Sequence, residues 1–180
     1  MKKKITILIV FIGLNFLPSI SYAQGTETKK DTIGFVFSQI DKFKTSKYKG
    51  QIINDYDTIF TSTEIKELSD ILYTYYIETT RQIVVVTVKD IEPYSDIQKY
   101  ATDLGNYWGV GMAEKGNGLI IILCKPCKKI GIASGTETQL ILTNEICEEV
   151  ITNKIIPEFM NGHFYEGIKK GIMELIEKWE

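Results

Sequence analysis

Gln82-Ile83-Val84-Val85-Val86-Thr87-Val88 and, further on, Leu119-Ile120-Ile121-Ile122-Leu123 decide the fold. Neither run alternates apolar with polar residues, as a strand with one wet face would. Runs this continuous suit strands covered on both sides, at the centre of an α/β sheet. The flanking patterns supply the covers. Before the first run, Thr61-Ser62-Thr63-Glu64 is a capping box, in which a hydroxyl accepts a helix-start N–H and the glutamate reaches back. Ile65, Leu68, Ile71, Leu72, Tyr75 and Tyr76 then recur at helical spacing, predicting a helix to about Glu78. Between the two runs, Ser95-Asp96-Ile97-Gln98 reads as another capping box. It opens a helix with Tyr100, Ala101, Leu104, Tyr107 and Trp108 on its apolar side, ended by Gly109 and Gly111.

Beyond the second run, Lys129 to Ala133 predicts a strand paired with it across Cys124-Lys125-Pro126-Cys127. Thr143 or Asn144 caps a helix to about Asn153. Pro157 marks a break, Asn161-Gly162 a turn, and a last helix runs from about Phe164 to Trp179. The order is helix, strand, helix, strand, strand, helix, helix, which places helices on both faces of one sheet.

The N-terminus has the parts of a secretory signal over residues 1–23. Lys2, Lys3 and Lys4 precede the apolar Ile5 to Leu17, and Ser21-Tyr22-Ala23 puts small residues where a signal peptidase reads. The apolar run falls short of the about 20 residues that a membrane span needs. The expectation is an exported protein, periplasmic or secreted, with no transmembrane helix in its mature chain. Removing three of 21 basic residues leaves 18 against 23 acidic ones, a net charge of −5. That balance gives no electrostatic footprint for nucleic acid. Residues 24–50 form a polar segment; Ile33, Phe37 and Ile40 are spaced like one face of a short helix, and a loose linker fits equally well. Residues 51–180 are enough for one domain with one core.

Cys124-Lys125-Pro126-Cys127 lies between strands, whereas a thioredoxin-type pair opens a helix. It reads as a turn, either disulfide-stapled or reduced. Zinc would need two further ligands, and the one histidine, His163, is distant in sequence. Asp55-Tyr56-Asp57 has the look of an aspartate-nucleophile phosphatase pair. Such a site also needs a preceding strand and a hydroxyl two residues past the second Asp, where this chain has Ile59. No Cys-x5-Arg loop occurs, and one histidine cannot furnish a conventional two-metal site.

An ordered set of short pieces carries a more specific resemblance. These are Asn54-Asp55-Tyr56, Trp108-Gly109-Val110-Gly111, Lys115-Gly116-Asn117-Gly118, Ala133-Ser134-Gly135, Leu142-Thr143-Asn144, Ile156-Pro157-Glu158-Phe159 and Asn161-Gly162-His163-Phe164-Tyr165-Glu166-Gly167. In this order and at these distances, the chain from about Ile52 to Trp179 resembles the TPM domain. The resemblance implies a single α/β domain, a three-layer α/β/α sandwich around a small mixed sheet. It also implies an acidic loop cluster that in some relatives holds a divalent ion, often calcium. Here the carry-over is partial: Asp55 matches an acid, Asn117 follows Gly116 where an aspartate is usual, Glu137 lies near an acidic position, and Asn144 replaces an aspartate. Calcium takes six to eight oxygens, so these amides imply a site that is weak or lost.

Plainer roles stand beside these. Asn54 and Asp55 can satisfy a turn, Asn144 can cap a helix, Trp108 can be core, and the glycines can serve backbone turns. The resulting expectation is a non-catalytic accessory module that binds a membrane or envelope protein complex, or another exported protein, through a rim containing Asn54 and Trp108. The alternative is a metal-dependent phosphatase of low activity that uses the loop cluster of Asp55, Asn117, Glu137 and Asn144.

Overall fold

In a computed structural model, which describes residues 52–180, the strands are β1 (Ile53–Asp55), β2 (Gln82–Thr87), β3 (Gly118–Cys124) and β4 (Lys129–Ser134). The expected signal at 1–23 and the segment at 24–50 lie outside the described residues. The helices are α1 (Ser62–Thr79), α2 (Ile97–Trp108), α3 (Asn144–Val150), α4 (Ile156–Met160) and α5 (Phe164–Trp179). The sheet order is β1-β2-β3-β4, with β1, β2 and β3 parallel and β4 antiparallel to β3.

β2 and β3 are buried on both sides, as their composition predicts, and alternation sorts their side chains between two cores. Ile83, Val85, Leu119 and Ile121 pack with Leu68 and Leu72 of α1, Val150 of α3, and Ile168, Ile172, Leu175 and Trp179 of α5. Val84, Val86, Ile120 and Ile122 pack with Ile97, Tyr100, Ala101 and Leu104 of α2. The result is the expected three-layer α/β/α sandwich. The parallel strands step in one direction while α1 and α2 lie on opposite faces. The β1–α1–β2 and β2–α2–β3 crossovers therefore have opposite hands, and one departs from the usual right-handed rule.

Local chemistry sets most element ends. Thr61 caps α1, accepting from Glu64 N–H while Glu64 accepts from Thr61 N–H. Thr61→Ala should cost about 1 kcal/mol in urea unfolding. At α2 the cap is Asp96, whose carboxylate accepts from Gln98 N–H; this corrects the frame that began at Ser95 by one residue. Thr143 caps α3 through Ile146 N–H, leaving Asn144 exposed as its first residue.

Two expectations change. Residues before α1 form a strand, β1, that the composition did not announce. The break expected at Pro157 is replaced by a π turn, Ile151–Ile155, running directly into α4. Pro157 is the second residue of α4, so its missing N–H falls where the chain passes from the π turn into that helix. Among the described residues, no helix is long and apolar enough to cross a membrane.

Candidate functional site

The strand register divides the anticipated site between two ends of the sheet. Asp55 pairs with Thr87 at the carboxyl end of the parallel strands. Asn117 immediately precedes Gly118, which pairs with Gln82 at the opposite end. Five residue steps along β2 separate these ends, roughly 16 Å.

At the carboxyl end, the loop after β1 folds around the Asp55 carboxylate. Oδ1 accepts from Ile59 N–H at 3.0 Å and from the Thr87 hydroxyl, and Oδ2 accepts from Phe60 N–H at 2.9 Å. Thr87 Oγ in turn accepts from Asp57 N–H at 3.0 Å. Most of the carboxylate's roughly four acceptor sites are thereby engaged. Asn54 is buried beside it in β1. Thr87 was not singled out from the sequence, although it is the lone hydroxyl in the β-branched run. The strand that a phosphatase pair needs is present as β1, which ends at Asp55.

At the opposite end, three loops are stitched together. Asn117 Nδ2 donates to Thr80 O at 2.7 Å, and its Oδ1 accepts from Met112 N–H at 2.8 Å. Gln82 Oε1 accepts from Gly111 N–H at 2.6 Å. Buried Thr138 donates through both its N–H and its hydroxyl to Gly116 O at 3.2 Å. Gly111, Gly118 and Gly135 let the backbones touch; a Cβ on Gly118 would stand 2.1 Å from Val110 O. Glu137 is exposed and precedes the short turn Thr138–Leu140, and Trp108 ends α2 half-buried against the α2-side core. Around this end Tyr107, Met112, Leu140 and Ile141 are exposed, Leu140 at 74%.

The four matched residues do not come together as one calcium site. The matched donors lie at two ends of the sheet, Asp55 and Asn117 spend their oxygens on the protein's own N–H and O–H groups, and Glu137 and Asn144 are surface residues. Among the described residues, no three His, Cys, Asp or Glu side chains gather as metal ligands.

Next to the α2-side core, Tyr94 donates to Asp103 at 3.0 Å and stands edge-on to the fully buried Tyr100. Burial, then the Asp103 hydrogen bond, push the Tyr94 phenol up to about 12 from 10.0, and burial raises Tyr100 as well. A raised tyrosine pKa means that the folded state holds the proton more tightly. The contribution is full below the unfolded value of 10.0 and is lost as pH rises through about 12. Stability should therefore fall from pH 10 upward, and Tyr94→Phe should flatten that slope in pH-dependent urea melts.

Fold and site thus define a small α/β/α domain whose loops are tied into the two ends of a mixed sheet. The family model for the TPM domain matches residues 53–178, and the chain belongs to that family. Similar solved structures share the fold. An N-terminal domain of a protein from P. gingivalis is 20% identical, with a TM-score of 0.66, over 71% of this chain and 81% of that one. The N-terminal domain of cg2496 from Corynebacterium glutamicum is 14% identical with a TM-score of 0.58, over 76% and 85%. The BA42 protein of Bizionia argentinensis is 19% identical with a TM-score of 0.59, over 69% and 83%. No curated protein matches the chain.

Proposed function

We propose that this TPM domain is a non-catalytic accessory module, exported from the cytoplasm, that docks on a membrane or envelope protein through the end of the sheet bearing Trp108 and Asn117. The observation that carries this reading is a division of labour. The polar groups there bind one another's loops, while Tyr107, Met112, Leu140 and Ile141 remain exposed at the same end. Exposed apolar side chains grouped over a rigid base are the usual makings of a protein contact. A pull-down from membranes should recover a specific partner with the wild-type domain and lose it with Leu140→Asp. Equal recovery by both would overturn the choice of this end. Export predicts that the mature protein begins at Gln24, which N-terminal sequencing of the cell-envelope fraction checks.

The phosphatase reading keeps one observation in its favour. Asp55 ends a parallel strand and Asp57 follows it, at the carboxyl end where open α/β sheets bind ligands. It requires metal-dependent phosphate release that Asp55→Ala abolishes. Turnover unchanged in that variant would remove it.

A further inference from the structure

Cys124 and Cys127 form a disulfide across the connection between β3 and β4. Its role as a staple is small on physical grounds. The ring it closes spans only Lys125 and Pro126, so it removes little chain entropy, and the strands on either side are already held by a ladder from Leu119–Ser134 to Cys124–Lys129. The two sulfurs also differ in setting. Cys124 is wholly buried in the α2-side core, whereas Cys127 is half-buried at the turn, flanked by exposed Lys125 and Lys128. The Cys127 N–H donates to Cys124 Sγ at 3.3 Å.

From this asymmetry we infer that the pair is a thiol–disulfide exchange site for a dithiol-bearing protein or peptide, entered at Cys127. A partner thiolate attacks Cys127 Sγ and forms a mixed disulfide. The Cys124–Cys127 bond breaks, and Cys124 leaves as a thiolate that the Cys127 N–H stabilises. The partner's second thiolate then attacks its own bonded sulfur and releases Cys127 as a thiolate. Two electrons pass from the partner dithiol to the protein, so the partner becomes a disulfide and the pair becomes two thiols. The two protons given up by the partner pass to the released thiolates or to solvent. Exchange rates follow which sulfur is accessible and how well the leaving thiolate is stabilised. Accessibility sets entry at Cys127, and the Cys127 N–H offsets part of the cost of a thiolate at buried Cys124. The remaining thiol, Cys147, stands apart: it is buried in the other core beside Ser134, and burial raises its pKa.

The test uses dithiothreitol as the dithiol on the folded protein, with acid quenching, unfolding and alkylation read by peptide mass spectrometry. Reduction of the pair should be first order in dithiothreitol and at least tenfold faster than global unfolding, with the circular dichroism spectrum retained. A rate independent of dithiothreitol and equal to unfolding would overturn the proposal, because the bond would then be reached only in the open chain. A second arm exposes Cys124→Ser and Cys127→Ser to glutathione disulfide. Mixed disulfide should form at Cys127 at least tenfold faster than at Cys124. Equal or reversed rates would overturn the assignment of the entry sulfur.

Discussion

Gly118→Ala is expected to cost about 3 kcal/mol or more in urea unfolding, the upper end for adding a methyl to a packed interior. The reason lies in what the new atom would meet. A Cβ at position 118 would stand 2.1 Å from Val110 O, 2.5 Å from Val110 C and 2.8 Å from Gly111 N. All three are backbone atoms, so no side chain can swing aside. The backbone itself is fixed from several directions. Gly118 pairs with Gln82 in the sheet and its carbonyl accepts from Gly135 N–H at 2.8 Å, while Gln82 Oε1 holds Gly111 N–H. Relief would require the α2–β3 loop to lift away from the start of β3, breaking the Asn117–Met112 bond as it goes. Gly109→Ala is the control. Gly109 ends a helix with positive φ, at 66°, and its Cβ would meet nothing within 4 Å. That change should cost only the left-handed backbone penalty, about 1–2 kcal/mol. Equal losses for the two variants would show that close approach is not what reserves position 118 for glycine. The same experiment bears on function, because a lifted loop displaces Met112 and Trp108. A Gly118→Ala domain that still folds should bind its partner less well than its residual stability alone would suggest.

How far the sequence discloses these features depends on which are local. The buried strands and the capped helices are written in runs of neighbouring residues, so β2, β3, β4, α1, α2 and α5 fall where patterning places them. β1 is different. Ile53-Asn54-Asp55 holds one aliphatic residue and two polar ones, and it is a strand because β2 offers it a parallel edge. Missing it also hid the geometry of the site. In parallel strands, the residue that ends one and the residue that begins the next lie at opposite ends of the sheet. Once Asp55 is known to end a strand and Asn117 to precede one, they cannot share a coordination sphere. Read as loop residues, they could be placed together. The π turn escaped for another reason. Pro157 signals a missing donor, but whether the chain breaks or bulges depends on what packs against it. Here Gly167 and Gly171 of α5 leave room for Phe159 and Ile155. Gln82, Thr87 and Thr138 acquire their roles only through loops distant in sequence, which no local pattern announces.

Asp55→Ala should destabilise the domain by about 2–4 kcal/mol whether or not calcium is present. The carboxylate accepts from Ile59 N–H, Phe60 N–H and the Thr87 hydroxyl. Hydrogen bonds to a charged acceptor contribute more than neutral ones, about 1.5–3 kcal/mol each, and donors stranded in a half-buried loop add their own desolvation cost. The half-exposed position lets water replace part of this, which keeps the expected loss below the simple sum. Thr87→Val removes one of the three contacts while keeping the shape of the side chain, and it also strands Asp57 N–H. It should cost about 1–2 kcal/mol. Because the two side chains touch, the double variant should lose less than the two single losses added together, by about 1 kcal/mol. A metal-holding role predicts another pattern. Asp55→Ala would then be nearly neutral in chelator, its cost would appear as calcium is added, and Thr87→Val would leave the ion's effect in place. Ligand bound only to the folded state adds about 2.7 kcal/mol at a hundredfold excess over Kd, well within reach of a melting experiment. Unfolding of the wild type and the three variants, each in chelator and in millimolar calcium, therefore separates a carboxylate that ties a loop from one that awaits an ion. The hydrogen bonds around Asp55 favour the first. A loss that is equal in both solutions and subadditive with Thr87→Val would establish it, and would direct the search for function to the far end of the sheet.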